Sequence, residues 1–160
     1  MAKEKDIIKE LKTLGYDPIP NSCILVRYGD GQDGVLSKVL KVLRNGVTPD
    51  QLLFLQICAN ELVLVPLGWK KLIDSEQLIE IPLEVIQTVS VKSDGINYRI
   101  TIKTADDWIA LNAPKPEFEF FRGKTFVFAQ EDFFGQKNWH VDNFQKTLRA
   151  LEELPRKKNI

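Results

Sequence analysis

The sequence predicts an α+β chain: a meandering, partly open antiparallel β-barrel of six or seven strands, capped by a C-terminal helix and preceded by an N-terminal helical extension. Three observations carry this. From residue 52 onward, short apolar runs alternate with tight turn signals, as sequential antiparallel strands do. Residues 85–112 hold two alternating runs around Asp94-Gly95, and Asp-Gly between such runs marks a hairpin, because a type I′ turn needs positive φ at both central residues. Val141, Phe144, Leu148, Leu151 and Leu154 form a helical apolar seam, which needs a surface to cover, and the open end of a curled sheet offers one.

The hairpin fixes a register. With Asp94 and Gly95 central, Ser93 faces Ile96, Val91 faces Tyr98, Val89 faces Ile100 and Gln87 faces Ile102, while Lys92, Ser90 and Thr88 face Asn97, Arg99 and Thr101. The apolar residues of both strands then share one face, and a one-residue slip would destroy that agreement.

Composition sets the bounds. At 160 residues, 44% apolar and 28% charged, the chain suits one soluble domain with a real core. Basic and acidic residues number 22 each, for a formal charge of zero. Nucleic-acid binding is therefore not expected, and neither is adhesion to anionic membranes, since both draw on excess positive charge. Cys23 and Cys58 stand far apart with no CxxC and no histidine nearby. They read as small buried thiols in a reducing compartment, neither zinc ligands nor a disulfide framework. The first residues lack the apolar centre of a signal peptide. LLFLQICAN, the longest uncharged apolar run, is far short of a membrane span. The expected location is cytoplasmic.

In chain order, residues 3–14 predict a helix with Ile7, Ile8, Leu11 and Leu14 on one stripe and Gly15 as its stop. Pro18 and Pro20 imply extended chain, and CILVRYG reads as a short strand. Next comes GDGQDG, with Gly29, Gly31 and Gly34 at dinucleotide-fingerprint spacing. Its plain reading is a connector. The sharper one is a phosphate cradle, but the Lys-Ser/Thr of a P-loop is missing and no βαβ unit follows. Residues 35–44 predict a second helix. Residues 1–46 form the helical extension, 47–155 the β domain with its closing helix, and 156–160 a basic tail. Thr48-Pro49-Asp50-Gln51 has capping-box form, so LLFLQICAN could be helix or buried strand. Strand is favoured because ELVLVPL begins at once after the tight connection Ala59-Asn60-Glu61. Further strands are predicted over 77–82, 85–92, 97–103 and 107–112, with a last pair over 117–121 and 124–128. The closing helix spans 141–154 and stops at Pro155.

The run TPDQLLFLQICANELVLVPL, the segment Ile81-Pro82-Leu83-Glu84-Val85-Ile86 leading into the hairpin, and the terminal helix together resemble the bacterial pleckstrin-homology-like (PH-like) and GRAM-like domains. The resemblance covers roughly two-thirds of the chain and is one of pattern. It implies a non-enzymatic interaction module that binds a protein partner or forms a homo-oligomer, with no cofactor. Some members of that family hold phosphoinositides through basic residues in the first strand–strand loop. Here that loop is Ala59-Asn60-Glu61, without Lys or Arg, so phosphoinositide binding is not expected.

No spacing in the chain carries catalysis. His140, the only histidine, is the first residue to weigh for acid–base work, against a plain reading as a packed residue at a helix entrance. Adjacent acids such as Asp106-Asp107 point apart and make no dyad. The aromatic stretch offers more. Phe118, Phe120, Phe121, Arg122, Lys124 and Trp139 could build a stacking or partner-binding surface, and the competing reading is that these rings supply core. Trp69 and Trp108 could rim a pocket. The alternative function, a small-ligand or nucleotide binder, rests on Gly29, Gly31 and Gly34.

Overall fold

In the computed structural model, the structure describes residues 3–28, 52–66, 78–105, 107–121, 129, 131 and 138–157. Helix α1 (Glu4–Thr13) leads into strands β1 (Pro18–Tyr28), β2 (Leu52–Cys58), β3 (Glu61–Pro66), β4 (Ile79–Pro82), β5 (Thr88–Asp94), β6 (Asn97–Lys103) and β7 (Trp108–Pro114), and helix α2 (Trp139–Lys157) follows. Short 3₁₀ turns occupy Leu83–Val85 and Pro116–Phe121. The strands form one antiparallel sheet in the order β4-β3-β2-β1-β7-β6-β5. Among the described residues the sheet is not closed, and β4 and β5 are its two edges.

Helix α1 ends as its sequence dictates. Gly15 takes φ +96°, its N–H donates to the Lys12 carbonyl, and the Tyr16 N–H donates to the Leu11 carbonyl. This is a Schellman closure, which glycine adopts without strain. Ile7 and Leu11 are buried, but Leu14 of the predicted stripe is 45% exposed, because the chain turns away at the cap.

LLFLQIC is a strand, as favoured, and the turn at residues 59–60 joins it to β3. CILVRY belongs to a longer strand. β1 lies on the N-terminal side of the 46/47 boundary, yet it pairs with β2 on one edge and β7 on the other. Near its start β1 bulges: Pro18 faces Cys58 but Cys23 faces Gln56. Asn21 absorbs the bend at φ +62°, a conformation asparagine tolerates. Buried Gln56 holds the bulge, its Nε2 donating to the Ile19 carbonyl at 2.9 Å and the Ser22 hydroxyl at 3.0 Å.

Several elements differ from the sequence expectation. The hairpin register is offset by two: Val91 faces Ile100, Val89 faces Ile102 and Asp94 faces Asn97. The central pair is therefore Gly95-Ile96, and Gly95 alone takes positive φ, at +60°, as a type II′ turn with glycine first requires. An even offset preserves which side chains share a face, so face alternation could not distinguish the two registers. Residues 117–121, predicted as a strand, lie in the 3₁₀ turn Pro116–Phe121. Pro116 suits the first position of such a turn, and the Phe118 N–H closes back on the Lys115 carbonyl at 3.1 Å. The predicted partner strand 124–128 and the predicted helix 35–44 lie outside the described residues. Helix α2 is longer than expected and runs through Pro155 to Lys157; in the last turn proline removes only one ladder bond.

Two apolar layers result. Inside the curl, Ile24, Val26, Leu53, Leu55, Leu64, Ile100, Ile102 and Leu111 meet Phe144, Leu148, Leu151 and Leu154 of α2. On the opposite face of β1–β3, Leu25, Phe54, Cys58, Val63 and Val65 are covered by Ile7 and Leu11 of α1 and by Trp139.

Candidate functional site

The polar chemistry of the described residues concentrates where α2 begins. Asn138 caps the helix, its Oδ1 accepting from the Val141 N–H at 3.2 Å. His140 and Asn143, three residues apart on α2 and so on one face, turn inward, and both are buried, at 0% and 3% exposure. The Leu25 N–H of β1 donates to His140 Nδ1 at 3.0 Å, and Nε2 lies 3.0 Å from the Pro114 carbonyl of β7. With Nδ1 accepting, the ring proton sits on Nε2 and donates to Pro114. Asn143 Nδ2 donates to the Cys23 carbonyl at 3.1 Å and also to the Glu4 carboxylate of α1. The Glu4 N–H in turn donates to Glu131 Oε1 at 3.1 Å.

Of these groups, Glu4, Glu131 and Asn143 line a cleft of about 350 Å³, together with Lys3, Lys5, Asn21, Trp139 and Asp142. Burial raises the Glu4 carboxyl above its ordinary value, Asn143 opposes the shift, and the nearby Glu131 and Asp142 carboxylates add to it. Burial lowers the His140 imidazole to about 4, against a smaller upward pull from the Pro114 carbonyl. The histidine is thus a neutral bridge near pH 7, with one nitrogen on each of two backbone groups, and neither nitrogen is turned toward the cleft as a base would be.

The other nucleophile candidates are similarly held. Both cysteines are free and buried. Burial pushes the Cys23 thiol well up, and burial with Glu61, Asp17 and Glu80 pushes Cys58 to about 12. Thiols in that state are poor nucleophiles and poor metal ligands. Tyr16 donates to Glu80 Oε2 at 2.7 Å and is raised by burial and by that carboxylate. Among the described residues no group of three His, Cys, Asp or Glu side chains is placed to hold a metal. No described helix is long and apolar enough to cross a membrane.

Only some of the residues singled out from the sequence lie among the described residues. Trp139 is 2% exposed and packs at 5.7 Å against the Phe54 ring, as core. Phe118 is half-buried, with Lys115 Nζ 5.9 Å from its ring and 5.0 Å from that of Tyr98. Phe120 and Phe121 sit in the 3₁₀ turn. Arg122, Lys124, Trp69 and the glycines 29, 31 and 34 lie outside the described residues. Trp108 does line an open cleft, of about 500 Å³, with Lys103, Thr104 and Asp107. Asn143 was not singled out, and the signal that could have found it is a polar residue three positions from His140 beside the apolar seam of α2. Neither the protein-family models nor the curated proteins yield a match to this chain.

Proposed function

We propose that the chain is a non-enzymatic PH-like interaction module that receives an extended peptide, from a protein partner or a second copy, along the edge of β5. The order of seven antiparallel strands followed by one helix supports the PH-like reading. The observation that carries the docking edge is β5 itself. It ends the sheet, pairs only with β6 among the described residues, and has no buried position. In a two-residue hairpin the closing pair, Asp94 and Asn97, exchanges hydrogen bonds, so the N–H groups of Ser93 and Val91 point away from β6. A row of outward donors and acceptors is what strand addition uses.

The test is to pan displayed random peptides on the folded chain and follow its amide resonances as a retained peptide is titrated in. The expected result is shifts centred on Val91 and Ser93. Peptides that move only resonances elsewhere, or no retention above background together with a monomer at all concentrations, would overturn the reading.

A further inference from the structure

Among the described residues β1 and β7 pair at Arg27↔Asn112 and Tyr28↔Leu111. Continuing that register along the same edge of β1 brings Leu25 opposite Pro114. Proline has no N–H, so this pair could form only one of its two bonds. The structure fills the gap with a side chain: the Leu25 N–H goes to His140 Nδ1, and His140 Nε2–H goes to the Pro114 carbonyl. Two residues earlier on β1, and therefore on the same edge, the Cys23 carbonyl is met by Asn143 Nδ2. Where β7 leaves β1, the first turns of α2 stand in for a strand.

We propose that His140 is a proton-operated latch at this seam, and that its protonation releases the start of α2 from the β1 edge while the body of the sheet stays paired. Neutral imidazole offers one acceptor and one donor, the pair that Leu25 and Pro114 require. Imidazolium offers two donors and no acceptor. Protonation therefore sets Nδ1–H against the Leu25 N–H, and it places a cation at a site with 0% exposure. Among the described residues, the titratable and charged groups on the elements packed at this seam include Cys23, whose carbonyl meets Asn143, and Arg27 on β1, Tyr98 on β6, which packs on Phe144, Lys115 next after Pro114, Glu4 on α1, which meets Asn143, and Asp142 on α2. Burial is the largest influence on the imidazole and outweighs the Pro114 carbonyl.

The sign follows. The released imidazole binds a proton near 6.5 and the latched one near 4. The latch is at full strength above about 6.5, weakens as pH falls from there, and levels off below about 4.

Because His140 is the only histidine, its imidazole resonance is unambiguous, and the intact chain can be followed by NMR with amide hydrogen exchange from pH 7.5 to 4. The expected result is that the protection of the Leu25 amide falls roughly tenfold per pH unit between about 6.5 and about 4 and at every pH stays well below that of the Val63 and Leu64 amides in β3, which report global unfolding. His140→Gln, which has no proton to gain, should abolish that pH dependence. If the variant does not fold, the wild-type profile decides alone. Three outcomes would overturn the latch: Leu25 protection that is flat with pH, an imidazole that titrates near 6.5, or Leu25 and β3 amides with equal protection throughout, which would mean that Leu25 opens only by global unfolding.

Discussion

Strands β2–β3 and strands β5–β6 belong to the same sheet but are buried in different ways. In β2 and β3 every residue after the first is buried, whereas in β5 none is, and β6 buries only Ile100 and Ile102. The inner faces of both pairs meet the layer capped by α2. Among the described residues, only β1–β3 carry a second layer, supplied by α1 from one end of the chain and Trp139 from the other. A strand covered on both faces loses its polar alternation and becomes a continuous apolar run. Burial on the outer face is thus a property of distant segments. It concentrates stability at β1–β3 and leaves β5, an edge strand among the described residues, thinly covered.

The largest expected effect tests that asymmetry. Phe54→Ala removes a ring that is fully buried under the second layer and packed on Trp139, and should cost about 3–5 kcal/mol in urea unfolding. Val91→Ala, on half-buried β5, should cost about 1 kcal/mol. Equal losses would mean that the second layer adds nothing. Leu11→Ala thins the cover without altering any strand, and should fall between, at about 2–4 kcal/mol.

The same asymmetry explains which parts of the fold the sequence discloses. The hairpin shows itself because one wet face makes Val89, Val91, Tyr98, Ile100 and Ile102 alternate with Ser90, Lys92, Arg99 and Thr101. LLFLQIC is equivocal from sequence alone because no wet face survives to mark its period. The 3₁₀ turn at Pro116–Phe121 hides behind a period-two pattern, Glu117-Phe118-Glu119-Phe120, that nothing local contradicts. The polar seam is the least legible part. Nothing near His140 in sequence indicates Leu25 or Pro114, and the bridge exists only because β7 departs from β1 there.

The hairpin turn offers a narrower test. Gly95 sits at φ +60°, and a Cβ placed on it would meet nothing within 4 Å, so the cost of Gly95→Ala is purely conformational, about 1–2 kcal/mol. Asp94 is an exposed strand residue paired with Asn97, so Asp94→Ala should change stability by less than about 0.5 kcal/mol. In a turn centred on Asp94-Gly95, Asp94 would itself need positive φ and its replacement would be felt. Chemical denaturation of the two variants separates the registers.

The smallest effect concerns how the second layer is tethered. Glu4 joins α1 to α2 through Asn143, and its carboxyl is raised in the folded chain, chiefly by burial. The folded state therefore holds the Glu4 proton more tightly than the unfolded state. This contribution is fully favourable below the ordinary value of about 4.5 and is lost as pH rises through the folded value. Glu4→Gln keeps an oxygen for Asn143 without the charge. It should raise the midpoint of thermal unfolding slightly at pH 7, by the equivalent of less than about 1 kcal/mol, and the gain should vanish below pH 4.5. His140 acts with the opposite sign, so the two partly cancel in the wild-type chain as it is acidified. Deleting the Glu4 charge should leave the His140 loss unopposed and make the fall in stability between pH 6.5 and 4 steeper. A variant whose acid profile runs parallel to wild type would mean that Glu4 titrates alike in both states and that burial at this tether is nominal.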